Sequence, residues 1–330
     1  MKEVLWMGWR VSVYRRVYAA ALKENPQIRA LTDELMAVAP GWKLRLKHYF
    51  LLACLAADWV AVLRGRPLKK NQIQQLAWFS TVVAIADSWF DDTTRSDESI
   101  LSLLMGQPVS QTPTDVSEKL VVLLMSDLLK KVDHSDAFRS AVVDFWRSEK
   151  LSRAQGNRQL SVLEINQISV DKAYHTLLSA RSLLSDPLTE EEAGVFRSMA
   201  AASQLMDDIL DLYDDYHAGL RTMATHQPDV ASLEGLMIRQ VRSMVSSVKA
   251  VKVPTSRQKR TMALLAYFPG VMVHCLRQYQ VIQGRRRQIP LDTVSRQRMV
   301  CDLDAWGVRL RVLRQMISYP MERPVTRLRS

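Results

Sequence analysis

Two short acidic stretches interrupt long apolar segments of helical period, and they constrain what this chain can fold into more than any other feature. The first reads Asp87-Ser88-Trp89-Phe90-Asp91-Asp92 and the second Asp207-Asp208-Ile209-Leu210-Asp211-Leu212-Tyr213-Asp214-Asp215, about 120 residues further on. Ionised carboxylates are costly in apolar surroundings unless a cation or a partner neutralises them. Acids concentrated on the apolar face of a helix therefore point to a site. Carboxylate oxygen is also the donor that hard divalent cations such as Mg²⁺ prefer. On a helix, residues four apart share a face. Asp87 is so placed with Asp91, and Asp207 with Asp211 and Asp215, while Asp208 pairs with Asp211 and Asp214. Two such helices side by side would direct four or five carboxylates at one cavity. The competing reading of each stretch alone is an acidic, solvent-facing helix end.

The rest of the chain reads as helix. Of its 330 residues 48% are hydrophobic, with only 11 glycines and 12 prolines, and no linker or low-complexity block divides it. Val and Ile follow the helical period rather than strand alternation. The spacing predicts helices over residues 4–23, 27–38, 43–64, 70–94, 115–132, 135–154, 159–185, 189–216, 229–251, 256–284 and 292–318. Thr189 and Glu192 are set as a capping box, and Gly219 stops the helix that this box opens. The expectation is all-α: one helical domain over 1–318 around a central apolar cavity, then a basic tail over 319–330. The apolar runs 49–63 and 262–276 fall short of the roughly 20 residues that span a bilayer, so both read as core helices. Cys54, Cys275 and Cys301 are widely separated and read as reduced thiols, which suggests a cytoplasmic protein.

The net charge of +11 is uneven: residues 251–330 carry 16 Lys/Arg against 4 Asp/Glu, and the remainder is nearly balanced. Such asymmetry suits an anionic substrate or membrane surface as well as a plain solvated helix face. No motif or aromatic–basic interleaving accompanies it, which sets nucleic acid aside.

The segment Gln204 to Asp211 resembles the second aspartate-rich motif of trans-prenyltransferases and related all-helical isoprenoid synthases. Asp214-Asp215-Tyr216-His217-Ala218-Gly219-Leu220-Arg221-Thr222 is similar to the segment next to that motif in the bacterial class 1 isoprenoid biosynthesis group. Asp171-Lys172-Ala173-Tyr174-His175-Thr176 resembles the lysine-bearing segment one helix earlier. Asp87-Ser-Trp-Phe-Asp91-Asp92 is similar to the first motif of squalene and phytoene synthases. The likeness runs from about residue 45 to 225. It implies an isoprenoid synthase-type helical bundle in which Asp87, Asp91, Asp207, Asp208, Asp211 and Asp215 hold Mg²⁺, three ions bound with diphosphate. Of these, Asp87, Asp91, Asp207 and Asp211 are the residues central to catalysis.

The implied substrate is a prenyl diphosphate, whose ionisation gives a carbocation within a dry, aromatic-lined pocket. Trp78, Phe79, Trp89, Tyr174 and Tyr213 are the candidate wall residues, each also suited to ordinary core packing. Lys172, Arg153, Arg158 and Arg221 are candidates for the diphosphate, and Arg277 and Tyr279 lie on a late helix able to cap the cavity. The chain lacks the first Asp-Asp-x-x-Asp motif and the Gly-Lys-x-x-Arg segment of chain-elongating prenyltransferases, and the Asn-Asp-x-x-Ser-x-x-x-Glu motif of microbial cyclases. A terpene cyclase leads. A head-to-head or chain-elongating condensing enzyme is one alternative, and a non-catalytic polyprenyl-diphosphate-binding subunit is another. A homodimer and a peripheral membrane contact through the basic C-terminal region complete the expectations.

Overall fold

A computed structural model describes residues 12–14, 16–38, 41–92, 94–110, 115–184, 186–303 and 305–318. Among them the structure is all-α, with fifteen α-helices, one 3-10 turn and no strand, besides helical residues 12–14 and 16–21. The basic tail from 319 onward and most of the N-terminal segment lie outside the described residues.

The chain falls into two compact units. Among the described residues one comprises 12–153 with 175–187, the other 154–174 with 188–318. The sequence alone predicts one domain over 1–318.

In the N-terminal unit the helices are α1 (Pro26–Val38), α2 (Trp42–Arg64), α3 (Lys70–Asp91), α4 (Asp97–Leu104), α5 (Val116–Lys131) and α6 (Ser135–Ser152). Their starts come from local chemistry: the Ser96 hydroxyl accepts from the Ser99 amide to open α4, and the Asp115 carboxylate accepts from the Ser117 amide to open α5. The periodicity does not predict α4, although Ser96 before Asp97 and Glu98 is a helix-start signal that suits the dipole. Leu76, Val82, Ile85, Ile100, Leu124, Phe138 and Phe145 build the core. Helix α2 is long and apolar enough to cross a membrane by length and composition, and about half of that stretch is buried inside the fold.

Helix α7 (Val162–Arg181) carries the division between the units after Tyr174. The C-terminal unit continues with α8 (Glu190–Leu210), α9 (Leu212–Ala218), α10 (Met223–His226), α11 (Val230–Ala250), α12 (Thr255–Leu265), α13 (Tyr267–Gln283), α14 (Arg296–Met299) and α15 (Trp306–Ser318). The Thr189–Glu192 capping box forms as the sequence predicts, and Gly219 ends α9 in the left-handed region at φ 72°. Three expected helices are broken. The 256–284 helix parts at Ala266, which puts Pro269 in the first turn of α13, where its missing N–H costs little. The 292–318 helix is interrupted beyond Met299, where the Gln278 carboxamide donates to the carbonyls of Arg298 (2.6 Å) and Val300 (3.2 Å). The third break, at Asp211, lies inside the second acidic stretch. Gly270 allows α15 to lie close on α13: a Cβ there would meet Met316 Cγ at 2.8 Å.

Candidate functional site

The second acidic stretch bends where α8 gives way to α9. The helical ladder survives on one side, with the Asp211 amide donating to Asp207 O and the Asp215 amide to Asp211 O, both at 2.9 Å. On the inner side the fully buried Tyr279 of α13 donates its hydroxyl to the Ile209 carbonyl at 2.7 Å. A side chain that engages the backbone in this way is a recognised origin of helix kinks. The bend orients the carboxylates beyond it.

Asp208 points inward and is 2% exposed. Its Oδ1 accepts from Gln204 Nε2 at 2.9 Å and its Oδ2 from the Met223 amide at 3.1 Å. Burial nevertheless pushes its carboxyl up to about 6, against the pull of those hydrogen bonds and of Lys172. Asp215 is half-buried and pushed up to about 7, first by burial and then by the carboxylates of Asp208 and Asp211, with Lys172 opposing. Asp214 has a different fate. Arg296 grips it with two parallel bonds of 2.7 Å, which holds its carboxyl below the usual range. Asp207 and Asp211 are exposed.

Asp208, Asp211, Asp215 and Lys172 thus lie within electrostatic reach of one another. Two further expected diphosphate ligands, Arg158 and Arg221, lie in this unit. Arg221 donates to the carbonyls of Arg158 (2.7 Å) and Leu160, and Gln155 Nε2 to the Arg221 carbonyl at 3.2 Å, so the guanidinium clasps the 155–160 loop. The Arg158 side chain is exposed. Tyr174 lies under the Arg197 guanidinium, 4.5 Å from its ring centroid, and Tyr213 stacks on His217 at 4.1 Å. Behind Asp208 is a small cavity of 10 Å³, lined in part by Asn166, Ser169, Gln204 and Gln240. That volume is room for about one water, not for a prenyl chain.

In the N-terminal unit the Asp87 carboxylate accepts from Arg45 Nη2 at 2.5 Å and from the Tyr49 hydroxyl at 2.6 Å. Arg45 also lies over the rings of Trp42 and Tyr49. Asp91 and Asp92 are exposed, and Asp92 closes a turn by accepting from the Thr94 amide. Arg153 donates Nε to the Phe90 carbonyl at the end of α3 and pairs with Asp97. That carbonyl is among the last of the helix, so the guanidinium satisfies an orphan acceptor beside the acids. The aromatic candidates here are packed into the core. Trp78 (1% exposed) donates to the Ala21 carbonyl, Phe79 meets Phe138 edge-on at 5.4 Å, and Trp89 donates to the Ser117 hydroxyl.

Among the described residues no three His, Cys, Asp or Glu side chains converge closely enough to hold a metal by themselves. Mg²⁺ seldom requires that, since it binds through one or two carboxylates plus waters and phosphate oxygens. The donor set of Asp211 and Asp215 suits it: both offer hard oxygen, and the neighbouring carboxylates raise the Asp215 carboxyl against the pull of Lys172. Sequence reasoning missed Arg45, Tyr49, Arg296 and the kink-holding role of Tyr279. Long-range partners of this kind carry no local sequence signal. No family model, no curated protein and no solved structure matches the chain.

Proposed function

We propose that the protein is a Mg²⁺-dependent class I isoprenoid synthase, foremost a terpene cyclase that ionises a prenyl diphosphate and releases diphosphate. The observation that carries this reading is the crowding of Asp208, Asp211 and Asp215: burial and the neighbouring carboxylates hold the Asp215 carboxyl up to about 7 against the pull of Lys172, a repulsion that a divalent cation relieves. Asp211 and Asp215, with Asp207 beside them, would hold Mg²⁺, which supplies charge stabilisation to a diphosphate leaving group. Asp208 supports them by tying α8 to the start of α10. Lys172 carries a compact charge on a flexible stem, able to meet a phosphate oxygen. Asp215 carries a proton over part of the neutral range and gives it up when a cation approaches. Incubation with C10, C15, C20 and C25 diphosphates plus Mg²⁺ tests the reading. Diphosphate release that falls at least about 100-fold in Asp211→Ala supports it, and release that is absent or unchanged sinks it.

One observation favours a second reading. The pairing of Asp87 with Arg45 and Tyr49 engages the first acidic stretch internally, as expected of a non-catalytic member that binds a polyprenyl diphosphate. Calorimetric diphosphate binding without turnover would select it.

We also propose a cytoplasmic location with peripheral contact to anionic membrane through exposed residues such as Arg285, Arg286 and Arg287. Cosedimentation with anionic liposomes that survives replacement of all three by Ala would reject that contact.

A further inference from the structure

Two of the three cysteines, far apart in the chain, meet in the C-terminal unit. Cys275 lies on α13 and is fully buried, and Cys301 lies on the extended stretch just after α14 and is 8% exposed. Their thiols act on one another electrostatically, and both cysteines are free. Geometry independent of that interaction places them together. Gln278 and Tyr279 lie three and four residues beyond Cys275 and so share its helix face. Gln278 accepts from the Cys301 thiol at 3.5 Å and straps the chain through the Arg298 and Val300 carbonyls. Tyr279, the next residue on from Gln278, lies within electrostatic reach of Cys301, and its hydroxyl holds the Ile209 carbonyl at the bend in the acidic stretch. A line of interactions therefore runs from the two thiols through one tyrosine to the backbone between Asp208 and Asp211.

We propose that Cys275 and Cys301 are a thiol-oxidation site, closing to a reversible disulfide that loosens the Tyr279–Ile209 bond and with it the bend carrying Asp211 and Asp215. The oxidant is a small-molecule disulfide. The Cys301 thiolate attacks it, displacing one small thiol and forming a mixed disulfide. Cys275 then attacks the Cys301 sulfur and displaces the second small thiol. Two electrons pass to the small disulfide, and the protons of both protein thiols end on the two released thiols.

The asymmetry suits these roles. Val300 and Asp302 on either side of Cys301 are exposed, so the oxidant approaches from that side. Cys275 and Tyr279 hold the Cys301 thiol below the usual range, whereas Cys301, together with burial, holds Cys275 above it. Closing the bond draws the sulfurs to about 2 Å, nearer than any hydrogen-bonded contact. The 298–301 stretch moves toward α13, and the Cys301 sulfur shifts relative to Tyr279.

Neither substrate nor metal enters the test, so failure of the thiol site and failure of the synthase reading are distinguishable. The full chain is treated with oxidised glutathione, mapped by mass spectrometry without reduction, and then reduced with dithiothreitol. Hydrogen exchange is measured at each stage. The expected result is a linked peptide pair containing Cys275 and Cys301, with several-fold faster amide exchange over residues 211–215. Both should reverse on reduction and be absent in Cys301→Ser, or in Cys275→Ala should the first variant fail to fold. Glutathione adducts without a cross-link, or a cross-link with unchanged exchange at 211–215, would overturn it.

Discussion

In the N-terminal unit the carboxylate of Asp87 meets a guanidinium and a phenol at hydrogen-bonding distance. In the C-terminal unit Asp215 is acted on by the carboxylates of Asp208, Asp211 and Asp214 and by one lysine. Both residues adjoin apolar stretches and lie near a helix end, so the sequence treats them alike. The difference lies in what the folded chain brings to them. An acid already matched by a fixed cation serves structure without help, whereas crowded acids are costly to folding unless a proton or a metal joins them. The same contrast recurs within the second stretch, where Asp214 has Arg296 and its neighbour Asp215 does not share that partner.

Breaking the satisfied side should cost the most stability. Arg45→Ala takes the guanidinium from the Asp87 carboxylate, leaves it the Tyr49 hydroxyl, and removes the stack on Trp42. A loss of about 1–3 kcal/mol in denaturant-measured stability is expected. A loss below about 0.5 kcal/mol would mean that the pair is a surface ornament.

The crowded side should respond in the opposite direction. A carboxyl whose folded pKa is raised binds its proton more tightly in the native state, so the stability it confers is present at low pH. That stability is lost as pH rises from the ordinary Asp value of about 3.9 through about 7 for Asp215. Asp215→Asn should therefore stabilise the protein at pH 8 by about 1–2 kcal/mol, discounted for partial solvent access, and change little near pH 4. A variant destabilised at pH 8 without Mg²⁺ would show that Asp215 is not under strain.

The smallest effect belongs to the exposed pair. Arg296→Ala should shift the melting temperature by only about a degree or two, since such surface pairs contribute about 0–1 kcal/mol. A drop of several degrees would reveal Arg296 as a structural element of the bend.

Much of the fold is legible in the sequence because helix signals are local. The apolar runs place α2, α3 and α11 to within a few residues, the Thr189–Glu192 box fixes the start of α8 and the Gly219 stop the end of α9. The breaks at Asp211 and beyond Met299 are not legible. Each coincides with a partner distant in sequence: Tyr279 at Ile209, Gln278 at Arg298 and Val300. The site is legible to the same depth. The spacing of the aspartates identifies the helix face, and the likeness around Lys172 puts a cation beside it. Which acids are matched depends on tertiary contacts. Arg221, expected at diphosphate from its position after the motif, donates to the carbonyls of Arg158 and Leu160, contacts that its place in the sequence does not reveal.

Calorimetric titration of Mg²⁺ with inorganic diphosphate, on the wild-type chain and on Asp211→Ala at pH 8 and pH 5.5, tests the imbalance itself. Binding at pH 8 that weakens at least about tenfold at pH 5.5, below the range in which Asp215 titrates, and that disappears in Asp211→Ala, is the expected result. Affinity that is absent in the wild type, or indifferent to both pH and the substitution, would contradict the account.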